Sequence, residues 1–278
     1  MKIGFIGLGN MATAIIGGLL REDTTLSSED GNATVITAAN IIGSAKTEAT
    51  RRAKTEQFDI AVTASNREVA EAADVLVLAV KPQFFPEVIA EIRDAVSENT
   101  LVISIAAGLT LERIAGLFDR NVTAMRLIRC MPNTPALVNA GCTAVVPGPG
   151  ATEADEALCL RLMESFGRAI VIPERLMDAA SATAGSSPAF VFMFIEALAD
   201  GAVAAGMPRA QAYEFAAAAV AGSAQLVLET GRHPGDLKDM VCSPGGTTIE
   251  GVRALEEGSF RASVMNAISA CVEKAKAL

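Results

Sequence analysis

Two short stretches of this chain combine residue types that could carry chemistry. The first is Gly7-Leu-Gly9-Asn10-Met11-Ala12, which follows the apolar run Ile3–Ile6 and opens a helical pattern. Gly7 permits a tight turn out of a strand. Gly9 lacks a Cβ, so a pyrophosphate can approach the backbone, and Ala12 keeps the helix close to a sheet. The helix start, with Asn10 and Met11, offers unpaired N–H groups and a positive dipole end to the phosphates. The second stretch is Ser243-Pro-Gly-Gly246-Thr247-Thr248, between two helical patterns. Two glycines ahead of two threonines expose backbone N–H groups and hydroxyls together, which makes a cradle for a carboxylate. Locally, the same residues also fit an ordinary capped helix start.

The elements that must position these residues follow from the pattern of apolar runs. Asp74–Val80 is a continuous apolar run, as in a parallel strand buried on both faces. It ends in Ala79-Val80-Lys81-Pro82-Gln83. Ligands of an open parallel sheet lie beyond the carboxyl ends of its strands, which puts Lys81 and Pro82 at a cofactor edge. The strand Leu101–Ile105 ends in Ala106-Ala-Gly108, small residues that leave room for a nicotinamide ribose. The strand Thr123–Ile128 leads to Met131-Pro-Asn133-Thr-Pro135, a loop stiffened by two prolines, in which Asn133 offers both a donor and an acceptor. The second strand is read as Thr34–Ala39, ending at Asn40 with no acidic residue. An NAD site usually places a carboxylate there for the ribose 2′-hydroxyl. Its absence, with Lys46, Arg51 and Arg52 nearby, favours a 2′-phosphate and hence NADPH, with NADH possible.

Helical segments fall at 10–21, 44–56, 66–72, 85–97 and 110–118, and residues 23–33 form a polar insert. This alternation predicts a doubly wound, mostly parallel α/β domain of the Rossmann type over residues 1–172, closed by a last short strand at Ala169–Ile172. From Glu174 on nothing reads as a strand, so residues 173–278 are read as an all-α domain. Its helices fall at Ala189–Ala205, 209–229, 246–257 and 260–276. Ser186-Ser187-Pro188 opens the first of them, with hydroxyl caps and a proline in the first turn. The helices over 189–229 are Ala-rich and apolar on nearly every face, so a second subunit is expected against them.

Composition narrows the chemistry further. The net charge of −9 argues against nucleic acid and anionic membrane as partners. A single histidine, His233, leaves no Ser-His-Asp triad with a spare imidazole and no His-rich metal site, so no metal is expected. Five scattered cysteines without a C-x-x-C fit free thiols in a reducing, cytoplasmic compartment. Glu196 and Asp200 interrupt the apolar stretch 188–206, which favours a buried helix over a membrane span.

Taken together, Gly7–Ala12, Ala79–Gln83, Arg129–Pro135, Gly185–Ala189 and Leu237–Thr248 resemble the pyrroline-5-carboxylate reductase family, along essentially the whole chain. The resemblance implies NAD(P)H-dependent reduction of L-1-pyrroline-5-carboxylate to L-proline, the last step of proline synthesis. It implies a homodimer through the C-terminal helices and, in many members, a decamer. Residue by residue, it implies that Asn66 contacts the adenosine ribose, and that Val80, Lys81, Pro82, Ala106 and Asn133 line the cofactor. Ser243, Gly246, Thr247 and Thr248 are then to hold the substrate carboxylate and ring nitrogen, with Thr248 as the catalytic donor. Two departures stand out. Ile41 occupies the place read as the family's arginine after the second strand, leaving the 2′-phosphate to Asn40, Ser44 or Lys46. Ala184-Gly-Ser-Ser187-Pro-Ala replaces Ser-Gly-Ser-Gly-Pro-Ala, so Ser187 adds a Cβ and a hydroxyl near the expected site. A hydroxyacid dehydrogenase is the nearest rival, but the long helix after residue 186 lacks the lysine such an enzyme needs. A non-catalytic NADP(H) sensor is the rival from another class, and the intact run Ser243–Thr248 argues against it.

Overall fold

The computed structural model describes residues 1–21, 24–27 and 33–276. The chain divides into two compact units, Met1–Gly185 with the chain end from Lys274, and Ser186–Glu273. The division expected from the sequence, at 172/173, falls 13 residues earlier.

In the first unit, strands and helices alternate. The order is β1 (Ile3–Ile6), α1 (Asn10–Leu19), β2 (Thr25–Ser27), β3 (Ala33–Val35), β4 (Ile41–Ser44), α2 (Glu48–Phe58) and β5 (Ala61–Thr63). There follow α3 (Asn66–Ala72), β6 (Val75–Leu78), α4 (Phe85–Ile92), β7 (Leu101–Ser104), α5 (Leu111–Leu117) and β8 (Leu127–Met131). The unit ends with β9 (Gly141–Pro147), α6 (Glu153–Glu164), β10 (Gly167–Val171), α7 (Met177–Ala180) and a π-helical segment, Ser181–Ser186. Eight strands form one sheet in the order β10-β9-β8-β7-β6-β1-β4-β5. All neighbours are parallel except β8 and β9. The chain leaves β1 for β4 on one side and returns to β6 on the other, so the strand order reverses at β1. That switch point is where an open α/β sheet leaves a crevice for a ligand.

Successive strand residues face opposite layers. Ile3, Phe5, Val75 and Val77 pack with Ile15, Ile16 and Leu19 of α1 on one face. Ile6, Leu76 and Leu78 pack with Phe85, Ile89 and Ile114 on the other. This is the period-2 consequence of a sheet covered on both sides. Away from the edge, Asp155 is fully buried at the start of α6, where its carboxylate accepts from Thr152 N and from the Arg126 guanidinium. Burial raises the carboxyl pKa, but the Arg126 and Thr152 hydrogen bonds outweigh it and hold Asp155 below its ordinary value.

Several sequence expectations shift. The second strand of the parallel sheet is Ile41–Ser44, not Thr34–Ala39; Ala33–Val35 pairs antiparallel with Thr25–Ser27 in a separate two-stranded ribbon. Part of the insert expected at 23–33 lies outside the described residues. The helix expected at 44–56 begins at Glu48, where the Thr47 side chain accepts from Thr50 N. The strand expected at Thr123–Ile128 starts only at Leu127, after a short 3-10 turn at Val122–Ala124.

The second unit holds α8 (Ser187–Ala204), α9 (Arg209–Thr230), α10 (Pro234–Val241), α11 (Thr247–Glu257) and most of α12 (Phe260–Lys276). Its buried cluster is Ala199, Ala212 and Ala216, with Leu237 buried apart from them, while Phe192, Met193, Phe215 and Met265 are more than 60% exposed. Alanines let α8 and α9 approach closely, and these large apolar side chains point outward, uncovered among the described residues.

Candidate active site

The carboxyl ends of the parallel strands form one aligned row. Thr63, Ser44, Ile6, Leu78, Ser104 and Arg129 are successive register partners across β5, β4, β1, β6, β7 and β8. Backbone hydrogen bonds knit the turns that follow: Gly7 N donates to Ser44 O, Ala79 N to Ile6 O and Ile105 N to Leu78 O.

Gly7 and Gly9 are glycines for different reasons. Gly7 has φ +92°, and a Cβ there would lie 2.8 Å from Val80 Cγ1 and 3.0 Å from Ala79 O. Its requirement is internal: the β1 turn and the end of β6 touch. A Cβ on Gly9 would meet nothing within 4 Å. Gly9 is the N-cap of α1, with no capping side chain and no acidic residue in the first turn. The first N–H groups of α1 therefore face open space beyond a backbone with no Cβ, which fits a dinucleotide pyrophosphate. Asn10 is exposed, Met11 partly so, and Ala12 is 1% exposed against the sheet.

The residues expected at the adenosine ribose lie beyond β4. Asn66, at the start of α3, accepts from Ser44 Oγ at 2.7 Å and donates to Glu91 Oε2 at 2.8 Å. Glu91 was not read from the sequence; an acidic residue on α4 carries no signal of its own there. Lys46 is exposed just past the end of β4, and Arg51 Nη1 donates to the Ala45 and Lys46 carbonyls, fixing that turn. Asn40 does not belong to this edge. It precedes Ile41, the partner of Ile3, and so lies about 13 Å from the carboxyl-end row by strand rise. Its amide donates to Met1 O and accepts from Thr37. Ile41 is a fully buried strand residue, so the position following the strand belongs to Ala45 and Lys46.

Beyond β6, Lys81 is exposed and Pro82 opens a 3-10 turn. Ala106 is 4% exposed at the end of β7. Asn133 is 8% exposed, and both of its amide atoms are bonded to backbone: Nδ2 donates to Ala184 O at 2.9 Å and Oδ1 accepts from Cys142 N at 2.8 Å.

In the second unit, the segment expected as a plain connection contains α10. His233 caps it, its Nδ1 accepting from Gly235 N at 3.0 Å. The loop Ser243–Gly246 then turns sharply, with Gly245 at φ +66° and Gly246 N donating to Ser243 O. A Cβ on Gly246 would lie 2.3 Å from Ser243 Oγ, so only glycine lets the serine hydroxyl fold over it. Gly246 is the N-cap of α11, with no capping side chain, and Thr247 and Thr248 occupy the first turn with exposed side chains. Uncapped N–H groups and three hydroxyls in six residues suit a carboxylate carrying a neighbouring polar atom. Among the described residues no group of three or more His, Cys, Asp or Glu is placed to hold a metal ion.

A topological switch point with a glycine turn, joined in one chain to a helical unit with an uncapped helix start, fits a dinucleotide-dependent oxidoreductase. Comparison with known proteins agrees. Residues 2–108 match the family model for NADP oxidoreductase, coenzyme F420-dependent, and residues 174–278 match that for pyrroline-5-carboxylate reductase dimerisation. The pyrroline-5-carboxylate reductase of Escherichia coli is 50% identical over 277 residues, covering 100% of this chain and 98% of the relative. That of Arabidopsis thaliana is 39% identical, covering 100% and 95%. Among solved structures, a pyrroline-5-carboxylate reductase of Coxiella burnetii superposes with a TM-score of 0.89 at 33% identity, covering 99% of this chain and 97% of that one. The pyrroline carboxylate reductase of Plasmodium falciparum, solved with NADP bound, gives 0.81 at 30% identity, covering 100% and 97%. The chain belongs to the pyrroline-5-carboxylate reductase family.

The dimerisation match also accounts for the apolar surface of the helical unit. By length and composition the helical stretch Glu174–Ala204 would be apolar enough to cross a bilayer. A partner subunit gives the same faces a reason to be apolar.

Proposed function

We propose that this chain reduces L-1-pyrroline-5-carboxylate to L-proline with NADPH as the preferred reductant. The observation that carries the reading is the Ser243–Thr248 loop: an uncapped helix start whose Gly246 is roofed by Ser243. The substrate is a small ring with one carboxylate and one imine nitrogen. The N–H groups at the start of α11 take the carboxylate, with the helix dipole favouring its charge. The Thr248 hydroxyl donates a hydrogen bond to the ring nitrogen and makes the C=N carbon more electrophilic, with solvent as the ultimate proton source. Bound nicotinamide supplies the hydride. Gly7, Gly9, Asn10, Met11 and Ala12 hold the pyrophosphate, and Val80, Lys81, Pro82 and Ala106 form the wall along β6 and β7.

Asn66, set by Ser44 and Glu91, serves the adenosine ribose. Of Asn40, Ser44 and Lys46, Lys46 takes the 2′-phosphate: a cation where an NAD enzyme would carry an acid. The C-terminal region from about residue 173 pairs with that of a second copy, and dimers build a decamer in the cytoplasm. The deciding experiment is NADPH oxidation with pyrroline-5-carboxylate beside its six-membered homologue, piperideine-6-carboxylate. Turnover of the five-membered ring with release of proline is the expected result. No turnover, or a preference for the six-membered ring, overturns the substrate assignment.

A further inference from the structure

We propose that Asn133 is a positioning residue: it fixes the π-helical segment Ser181–Ser186 on the cofactor edge of the sheet rather than contacting cofactor. The inference rests on the functional reading above and begins with a missing donor. In an α-helix the carbonyl of residue 184 accepts from the N–H of residue 188. Residue 188 is proline and has no N–H, so Ala184 loses its ordinary α-helical partner. At this place the chain adopts π-helical geometry, and the Asn133 Nδ2 donates to Ala184 O at 2.9 Å.

The other half of the amide accepts from Cys142 N, at the start of β9. A backbone N–H on one side and a carbonyl on the other fix which amide atom points where. These two bonds fix the plane and orientation of the amide and use one of its two donors and one of its two lone pairs. Met131 reinforces the junction: its Cε lies 3.5 Å from the place a Cβ on Gly185 would take. Asn133 thus ties three backbones together: the end of β8, the start of β9 and Ser181–Ser186.

The place of the clamp gives it a function. With the pyrophosphate at α1 and the adenosine over β4, the dinucleotide runs along the row toward β7 and β8. The Asn133 loop follows β8 and therefore stands at the nicotinamide half. A segment held there shapes the space for hydride transfer without touching the phosphates.

The test uses the full-length protein and three variants. Asn133→Asp keeps the shape and the bond from Cys142 but sets an oxygen against Ala184 O. Asn133→Leu removes both bonds. Asn133→Ser removes the reach without adding charge or bulk, and serves if a bulkier variant does not fold. Readouts are kcat and KM for both substrates, NADPH affinity by fluorescence titration, and hydrogen exchange over 140–145 and 181–190. The expected result is unchanged NADPH affinity with kcat lowered by about tenfold or more, as for a displaced reacting geometry. Faster exchange over 181–190 should accompany it in every variant, and over 140–145 in Asn133→Leu and Asn133→Ser. A parallel loss of NADPH affinity would make Asn133 a direct cofactor ligand and overturn the proposal. Unaltered kcat or unaltered exchange over 181–190 would overturn it as well. The exchange readout needs no turnover, so failure of the clamp is distinguishable from failure of the substrate assignment.

Discussion

Gly7 and Gly9 stand two residues apart in the same turn, and the structure gives their substitution opposite consequences. At Gly7, φ is +92° and a Cβ would sit 2.8 Å from Val80 Cγ1. Gly7→Ala combines a left-handed backbone with overpacking, together about 2–4 kcal/mol. That corresponds to a melting temperature lower by roughly 5–10 °C for a unit of this size. At Gly9 a Cβ meets nothing within 4 Å, and the residue contributes no side-chain cap. Gly9→Val should cost at most about 1 kcal/mol through its poorer N-cap preference. Its cost falls on the ligand instead. A branched side chain occupies the approach to the α1 N–H groups and displaces the pyrophosphate. Loss of two charge-assisted hydrogen bonds at about 1.5 kcal/mol each gives ~3 kcal/mol, or more than a hundredfold in affinity. Thermal melts of both variants, paired with NADPH fluorescence titrations, separate the two effects. If Gly9→Val binds NADPH with wild-type affinity, the pyrophosphate does not lie on this turn and the cofactor assignment fails.

Thr248→Val keeps the shape of the first turn of α11 but removes the donor to the ring nitrogen. A loss of about 1–3 kcal/mol, roughly ten- to a hundredfold in kcat/KM for pyrroline-5-carboxylate, should follow with NADPH affinity unaltered. Full activity in steady-state assays would show that the nitrogen is met elsewhere. Lys46→Glu should invert the cofactor preference by placing a carboxylate where the 2′-phosphate is expected, so the ratio of NADPH to NADH efficiencies should fall below that of wild type. A ratio that stays constant would remove Lys46 from the site. Asp155→Ala leaves Arg126 without its carboxylate and removes the bond from Thr152 N that completes the capping box of α6, a cost of about 3 kcal/mol in denaturant titrations. The wild-type Asp155 carboxyl lies below its ordinary value, so its stabilisation is full above about pH 4 and is lost as the pH falls through its folded value. Equal acid sensitivity in wild type and Asp155→Asn would contradict that linkage.

What the sequence determined by itself were the features that repeat locally. The Gly7-x-Gly9-x-x-Ala12 turn, the apolar run of β6, the turn at Lys81 and Pro82 that follows it, and the Ser243–Thr248 helix start are all set by a few adjacent residues, so each is legible. So was the need for a partner, because helices apolar on every face cannot be satisfied by one small helical unit. The second parallel strand was not legible. Thr34–Ala39 has the stronger β-forming sequence, yet Ile41–Ser44 takes the place beside β1, where Gly43 leaves room for Leu8. Strand choice there is a long-range packing decision, which local propensity does not encode. With it moved the meaning of Asn40 and Ile41: Asn40 falls just before the start of β4 and Ile41 inside it, which leaves Lys46 as the candidate past its end. Antiparallel β9 and the networks Ser44–Asn66–Glu91 and Cys142–Asn133–Ala184 also needed the tertiary structure. Their members are 9 to 51 residues apart in the chain, and only the folded sheet edge brings them to within a hydrogen bond of one another.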